Sequence, residues 1–211
     1  MDDGATLGLR LVWALKPYWI TSGQLALGQQ MTLEALAHPG AGERNVARSR
    51  GLFDAGQIAV LMGRYQEAQV SLEESLEIAQ EIGDMRMKAM VLQPLGVACM
   101  GQSNMAAACI HLEEAVVMAG ALGNKREIAA SVSALAQFLR MTGKLDSAEP
   151  LYSQSLAIAR ELQDHEYIAI TLLNLAMVSI DRNNGERVPK MLLESLAIAD
   201  EIAEVASVPL R

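Results

Sequence analysis

The stretch of sequence that decides the fold is GRYQEAQVSLEESLEIAQEIGD, residues 63–84. It aligns without gaps with SNMAAACIHLEEAVVMAGALGN (103–124), GKLDSAEPLYSQSLAIARELQD (143–164) and NNGERVPKMLLESLAIADEIAE (183–204). A fainter copy, GQLALGQQMTLEALA (23–37), precedes the first in the same register. One column of the alignment holds Leu76, Val116, Leu156 and Leu196. Five copies in one register indicate an array of repeats with a period of about 40 residues.

Each repeat contains two helical patterns. The first, at 46–62, 86–101, 126–142 and 166–182, places apolar residues three and four positions apart, and the second starts near residue 66 and at equivalent positions. A helix pair of this size cannot bury its apolar stripe alone, so neighbouring pairs must stack. We therefore predict an all-α fold, a right-handed α-α superhelix of about five helix pairs. It is expected to form a single domain over 1–211, with units near 5–40, 45–84, 85–124, 125–164 and 165–204.

Turn and cap residues fall at the predicted helix ends. Gly63, Gly83, Gly123 and Gly143 stand where helices end, since glycine accepts the left-handed conformation without steric cost. Asp84, Asn124 and Asp164 stand where the next first helix needs an N-cap.

Irregularities are expected at three further places. The opening helix, Leu7 to Trp19, is expected to lose its last turn at Pro17, and Pro94 predicts a local kink in its helix. The polar segment His38–Asn45 is expected to be an exposed connection.

Composition limits the classes of function. The chain has 211 residues, of which 51% are apolar and 4% aromatic, and its net charge is −8. No basic face dominates, so we predict no nucleic-acid partner. The N-terminus is acidic rather than signal-like, and the longest uncharged run, Ala89–Leu112, contains proline and amides. We predict a cytoplasmic protein that does not cross a membrane, in which Cys99 and Cys109 are buried thiols.

The chemistry-bearing residues form no catalytic or metal-binding constellation. His38, His111 and His165 are isolated, and the phosphate-loop pattern GxxxxGK[ST] does not occur. Carboxylate pairs such as Glu73/Glu74 recur at the same repeat position, which is typical of a solvated surface rather than of acid–base catalysis. We predict a protein without enzymatic activity, metal site or cofactor.

These units resemble the tetratricopeptide repeat. The small–large–small pattern of that family is present as Leu95-Gly96 with Cys99, Ala108, Leu112 and Ala115. The standard unit of the family is shorter, at about 34 residues. The elongated unit is similar to the repeats of large bacterial signalling regulators. In those proteins such repeats accompany a nucleotide-binding ATPase module, and LVWALKPYWITSGQLALGQQMTLEAL (11–36) resembles the first repeat that follows it.

The resemblance implies a binding site on the concave face, to which the first helices contribute their positions two, five, nine and twelve. In this sequence the predicted groove residues are Arg50, Phe53, Gln57, Met90, Gln93, Val97, Met100, Ser133, Gln137, Arg140, Ile170, Leu173, Asn174 and Met177. The Lys/Asn/Arg clamp by which family members hold a peptide carboxylate is not reproduced. An apolar groove edged by glutamine and arginine suits a partner helix or an extended apolar peptide.

Two functions remain open at this point. The first is a protein–protein interaction scaffold that binds a peptide or partner helix in the groove, as the regulatory repeat region of a bacterial signalling protein. The second is a sensor of a peptide or small ligand, in which binding changes the curvature of the superhelix. The apolar groove residues have an alternative role, namely packing against a C-terminal helix or against a second copy of the chain in a homodimer.

Overall fold

The structure is a computed structural model, and it describes the backbone of residues 4–206 and the side chains of residues 4–203. The acidic N-terminal residues Met1, Asp2 and Asp3 and the last five residues of the predicted domain lie outside the described part. Within it there are ten α-helices and no strand, which confirms the all-α fold class. The helices are α1 (Gly4–Thr21), α2 (Leu25–Ala37), α3 (Val46–Leu61), α4 (Tyr65–Glu81), α5 (Met85–Gly101), α6 (Met105–Leu122), α7 (Lys125–Met141), α8 (Leu145–Glu161), α9 (His165–Asp181) and α10 (Val188–Ala206).

A residue with positive φ ends nearly every helix, and these residues recur at equal intervals from residue 63 to residue 183. Glycine occupies four of them, Gly63, Gly83, Gly123 and Gly143, with φ between 71° and 78° as predicted. The remaining three are Ser103, Gln163 and Asn183, with φ of 63°, 54° and 55°. Each repeat thus consists of two half-repeats of equal length, each closed by the same left-handed turn.

The predicted N-caps are confirmed. The Asp84 carboxylate accepts a hydrogen bond from the Met87 amide at 2.9 Å, and Asp164 accepts one from the Tyr167 amide at 3.2 Å. The Asn124 side chain accepts from two backbone amides, those of residues 126 and 127. Each side chain satisfies an amide that the helix itself leaves unpaired.

The chain divides into two compact units, residues up to Ala115 and residues from Val116. In unit 1, α3 and α4 form an antiparallel hairpin with a close crossing at Gly56. A Cβ atom on Gly56 would lie 2.4 Å from Leu72 Cγ, and one on Gly96 would lie 2.6 Å from Leu112 Cγ. The small residues in this column therefore permit the close helix approach that the sequence predicts.

In unit 2, α7 to α10 pack in sequence around a cluster that includes Tyr152, Leu156, Leu172 and Leu175. A buried serine also connects the two helices of a hairpin. The Ser155 hydroxyl donates to the Ala129 carbonyl at 3.1 Å, and the serine hydroxyls at the equivalent positions 75 and 195 each donate to a carbonyl in the same way. The bond satisfies a hydroxyl in the apolar interface between the helices.

The structure corrects two expectations for the N-terminal segment. Helix α1 does not end at Pro17 but continues to Thr21, and its last turn is anchored by Trp19, whose buried ring packs against Gly28. The segment His38–Asn45 is not wholly exposed: it contains a 3-10 turn, Pro39–Gly42, from which Ala41 packs into a cluster with α1. Pro94 lies inside the continuous helix α5, where the kink stays a prediction.

Two further expectations concern cysteines and membrane spans. Neither Cys99 nor Cys109 forms a disulfide, and Cys99 is buried as predicted, whereas Cys109 is only half-buried. The uncharged run Ala89–Leu112 is divided between α5 and α6. By length and composition, α6 is the one helix in the described residues that could cross a membrane. Glu113 and Glu114 lie at its middle.

Candidate functional site

The predicted groove residues of unit 1 differ widely in exposure. Arg50 is exposed, and four others are half-buried, namely Gln57, Met90, Gln93 and Val97. Phe53 and Met100 are buried, with only 3% and 5% of their surface exposed. The expectation that Phe53 and Met100 present free apolar surface was therefore wrong.

Phe53 is buried because α1 packs over it. The rings of Trp13 and Phe53 have centroids 6.0 Å apart and are tilted by 47°. The Lys16 ammonium group lies 4.6 Å from the centre of the Trp13 ring and 4.4 Å from that of Phe53. Both distances are within the range of cation–π attraction. Trp13 thus presents the aromatic surface that the sequence assigned to Phe53.

A buried ion pair lies below these rings. Lys16 Nζ is 2.6 Å from Asp54 Oδ1, and the Asp54 side chain is fully buried while that of Lys16 is 13% exposed. Burial raises the pKa of Asp54 to about 7, against the opposing attraction of Lys16 and of Arg50. A carboxyl group with this pKa changes its protonation near neutral pH.

An open cleft of about 440 Å³ lies next to Trp13, between the first turns of α1 and α3. Leu9, Trp13 and Val46 supply apolar walls, while Arg10 and Arg50 supply positive charge. The Arg50 guanidinium carbon is 5.2 Å from the centre of the Trp13 ring. Trp13 and Arg50 also line a second cleft of about 270 Å³, together with Asp84, Arg86, Met87 and Met90. The two clefts form the candidate site of unit 1.

Sequence reasoning missed Arg10, Trp13 and Lys16. The signal for the first two was present, because Arg10 and Trp13 lie one repeat before Arg50 and Phe53 and so occupy the same groove columns. Lys16 belongs to no groove column, and its partner Asp54 is identified only by the packing of α1 on α3.

In unit 2 the predicted residues of α9 form an exposed apolar strip. Ile170, Leu173 and Met177 are 44%, 46% and 43% exposed, and Asn174 beside them is half-buried. On α7, Gln137 is exposed, whereas Ser133 is buried, which contradicts the expectation that it faces an open groove.

The remaining predicted residue of unit 2, Arg140, is already paired. Its Nη1 lies 2.9 Å from Asp181 Oδ2 on α9. The pKa of Arg140 is raised, chiefly by its hydrogen bond with Asp181. Arg140 therefore contributes less free positive charge than the sequence suggests.

The remaining chemistry-bearing residues do not converge. Among the described residues there is no group of three or more His, Cys, Asp or Glu side chains that could hold a metal ion. The acidic face of α4 forms ion pairs with α3 and with the segment that precedes α3. Arg44 pairs with Glu81 at 2.7 Å, and Arg48 pairs with Glu74 at 2.8 Å.

Comparison with known proteins identifies the repeat. The family model described as tetratricopeptide repeat matches residues 87–161 and 126–201, which together span more than half of the chain. A comparison with curated proteins gives no match.

Solved structures of similar fold cover nearly the whole chain. A Rap protein complexed with competence and sporulation factor has a TM-score of 0.81 at 14% identity, and the match covers 91% of this chain and 54% of that one. BtubC from P. vanneervenii has a TM-score of 0.73 at 16% identity, covering 98% and 85%. A putative kinesin light chain of Podosopora anserina has a TM-score of 0.68 at 18% identity, covering 96% and 99%. These likenesses confirm a solenoid of stacked helix hairpins, and this chain spans about half the length of the Rap protein.

Proposed function

Because this chain belongs to the tetratricopeptide repeat family, we propose that it is a protein–protein interaction scaffold that binds a peptide or partner helix on its first helices. The observation that carries the proposal is the cleft of about 440 Å³ beside Trp13, with Arg50 stacked on the indole ring. We assign no catalytic step to it, since its paired carboxylates recur along the second helices instead of meeting in one pocket.

The composition of the cleft indicates what the partner presents. Leu9, Trp13 and Val46 form the apolar wall of the cleft, and an aromatic ring beside a guanidinium favours aromatic or aliphatic groups. Arg10 and Arg50 give the site a positive charge, although the chain as a whole carries −8. The partner is therefore a segment with a bulky apolar side chain followed or preceded by an acidic one.

The exposed strip Ile170, Leu173 and Met177 is proposed as a separate apolar contact surface of unit 2. The solved Rap structures are described as complexed with competence and sporulation factor and with the Phr* peptide. Those descriptions support peptide binding as the function to test first. We further propose that the chain is the regulatory repeat region of a bacterial signalling protein and acts in the cytoplasm.

The test uses fluorescein-labelled peptides in which one Phe or Leu is combined with Glu, Lys or Ala at the neighbouring positions. Binding is measured by fluorescence anisotropy with the full chain. We expect the Glu-containing peptides to bind best, and we expect Trp13→Ala and Arg50→Glu to weaken their binding at least tenfold. Arg50→Glu should also shift the preference toward the Lys-containing peptides, because it reverses the charge at the site.

Arg64→Glu is the matched control, since it makes the same charge change in unit 1 at an exposed turn outside both clefts. Equal effects of Arg50→Glu and Arg64→Glu, or unchanged binding by Trp13→Ala, would place the binding site elsewhere. Small-angle scattering during the same titration separates the two functions: a sensor changes its scattering profile with peptide, whereas a scaffold keeps it.

A further inference from the structure

Consecutive hairpins pack through two recurring surfaces. We define the leading face as the side of a first helix that contacts the hairpin before it. A Cβ on Gly51 of α3 would lie 3.1 Å from Leu36 of α2, and Ile58 packs with Trp19 and Leu25, so the leading face of α3 contains Gly51 and Ile58. Ala55, which lies between them on the same side, is fully buried.

The trailing face is the side of a second helix that contacts the hairpin after it. In α8 it contains Tyr152, Leu156 and Ala159, which form one cluster with Leu172 and Leu175 of α9. These three trailing residues are 0%, 8% and 0% exposed. Within each unit, a trailing face therefore covers the leading face of the hairpin that follows it.

The leading face of α1 is uncovered. Leu11, Leu15 and Tyr18 lie one repeat before Gly51, Ala55 and Ile58, at spacings that place them on one side of the helix. They are 59%, 38% and 56% exposed, whereas Ala55 and Ile58 are both 0% exposed. Leu7, which is 50% exposed, extends the same strip by one turn.

The trailing face of α10 is uncovered in the same way. Leu192 and Leu196, which lie one repeat after Tyr152 and Leu156, are 41% and 57% exposed, and Ala199 is exposed as well. Leu193 enlarges this apolar surface, since it is 66% exposed at a column where α4 carries Glu73 and α8 carries a serine.

From these two faces we infer that the chain self-associates head to tail, with α10 of one copy packing on α1 of the next copy. Each face has the apolar composition of surfaces that bury each other between neighbouring hairpins, so the contact between copies continues an interface that the chain already forms. Charge favours the same pairing. Helix α1 carries no acidic residue, so the four carboxylates in the sequence of α10 meet no like charge on it. A symmetric contact between two α10 helices would place like charges together.

A head-to-tail contact joins two different surfaces, so each copy keeps one free face and the assembly grows beyond a dimer. Neither face contains Trp13 or Arg50, so this inference and the proposed peptide site can fail independently.

The test is sedimentation velocity of the full chain from low to high micromolar concentration. The wild type should form species larger than a dimer as concentration rises. Leu11→Glu places a charge in the leading face of α1, and Leu196→Glu places one in the trailing face of α10. Each should weaken association more than about tenfold, because the charge would have to be buried between the two copies. An equimolar mixture of the two variants retains one intact pair of faces, and it should form a dimer and nothing larger.

The matched control is Val70→Glu, a change at a side chain of equal exposure (59%) on α4, which should leave association unchanged. A wild type that stays monomeric at every concentration overturns the inference, as does a mixture of the variants that stays monomeric. Persistent dimers of Leu11→Glu alone would show a symmetric α10 contact instead. Circular dichroism checks that each variant folds. If Leu11→Glu or Leu196→Glu does not fold, the experiment is repeated with Leu11→Gln and Leu196→Gln.

Discussion

The buried carboxyl group of Asp54 makes the stability of unit 1 dependent on pH. Its side chain has no exposed surface, and burial raises its pKa from 3.8 to about 7. The folded state therefore retains the proton to a higher pH than the unfolded state. The resulting stabilisation is fully present below pH 3.8 and is lost as the pH rises through 7.

The size of the effect follows from the difference between the two pKa values. Between pH 5 and pH 8 the unfolded carboxyl group is ionised throughout, whereas the folded one ionises near pH 7. The loss is about 1.4 kcal/mol for each pH unit over which only the folded state keeps the proton, that is, from pH 5 to about pH 7. The wild type therefore loses about 3 kcal/mol of unfolding free energy between pH 5 and pH 8. Asp54→Asn removes the titrating group but keeps the shape of the side chain, so the variant should lose much less.

The assay is urea unfolding at pH 5 and at pH 8, followed by tryptophan fluorescence. Trp13 and Trp19 are the only tryptophans in the chain and both lie in α1, so the signal reports on unit 1. The quantity to compare is the pH-dependent change in the wild type minus that in Asp54→Asn. This subtraction removes the contribution of every group other than Asp54.

Asp146→Asn is the matched control, because that side chain is 98% exposed and lies in unit 2. It should leave the pH dependence of the fluorescence transition unchanged. If wild type and Asp54→Asn change in parallel, within about 0.5 kcal/mol, the reasoning is refuted. Lys16 at 2.6 Å would then be holding Asp54 ionised at both pH values.

Two more predictions concern the repeat backbone. Gln163 has φ of 54°, a conformation that glycine adopts without steric cost, so Gln163→Gly should raise the free energy of unfolding of unit 2 by about 1 kcal/mol. Gln154 lies inside α8, where glycine is unfavourable, so Gln154→Gly should lower that free energy by about the same amount. Gly56→Ala should lower the free energy of unfolding by about 2 kcal/mol, because the new Cβ would lie 2.4 Å from Leu72 Cγ. Gly120→Ala in α6, where no atom lies within 4 Å, should instead stabilise the fold by about 1 kcal/mol. The four variants are compared by thermal unfolding. If the two glycine variants, or the two alanine variants, change the stability in the same direction, these expectations are wrong.

Much of the fold could be predicted because its signals are local. The caps at Asp84, Asn124 and Asp164 depend on side chains close in sequence to the amides that they bind. The end of α1 could not be predicted in this way. Pro17 opposes the last turn locally, but the burial of Trp19 against Gly28 of another helix outweighs that preference.

The candidate site was predicted less completely than the fold. The groove columns include Arg50 and the apolar strip of α9, which are exposed, but they could not show that Phe53, Met100 and Ser133 are buried. Burial depends on which neighbouring helix covers a position. For Phe53 the covering residue is Trp13, which lies one full repeat earlier in the sequence but only 6.0 Å away in space.

The periodicity of the sequence alone establishes the helices, their regular spacing and the turns between them. Each of these features depends on hydrogen bonds and torsion angles within one or two helical turns. Packing alone establishes the environment of Asp54, the burial of Phe53 beneath Trp13, and the uncovered faces of α1 and α10. These features depend on groups far apart in sequence, whose effect on desolvation and charge arises only when the helices lie against one another. Repetition specifies the hairpin, and the contacts between hairpins specify which of its surfaces remain available for binding.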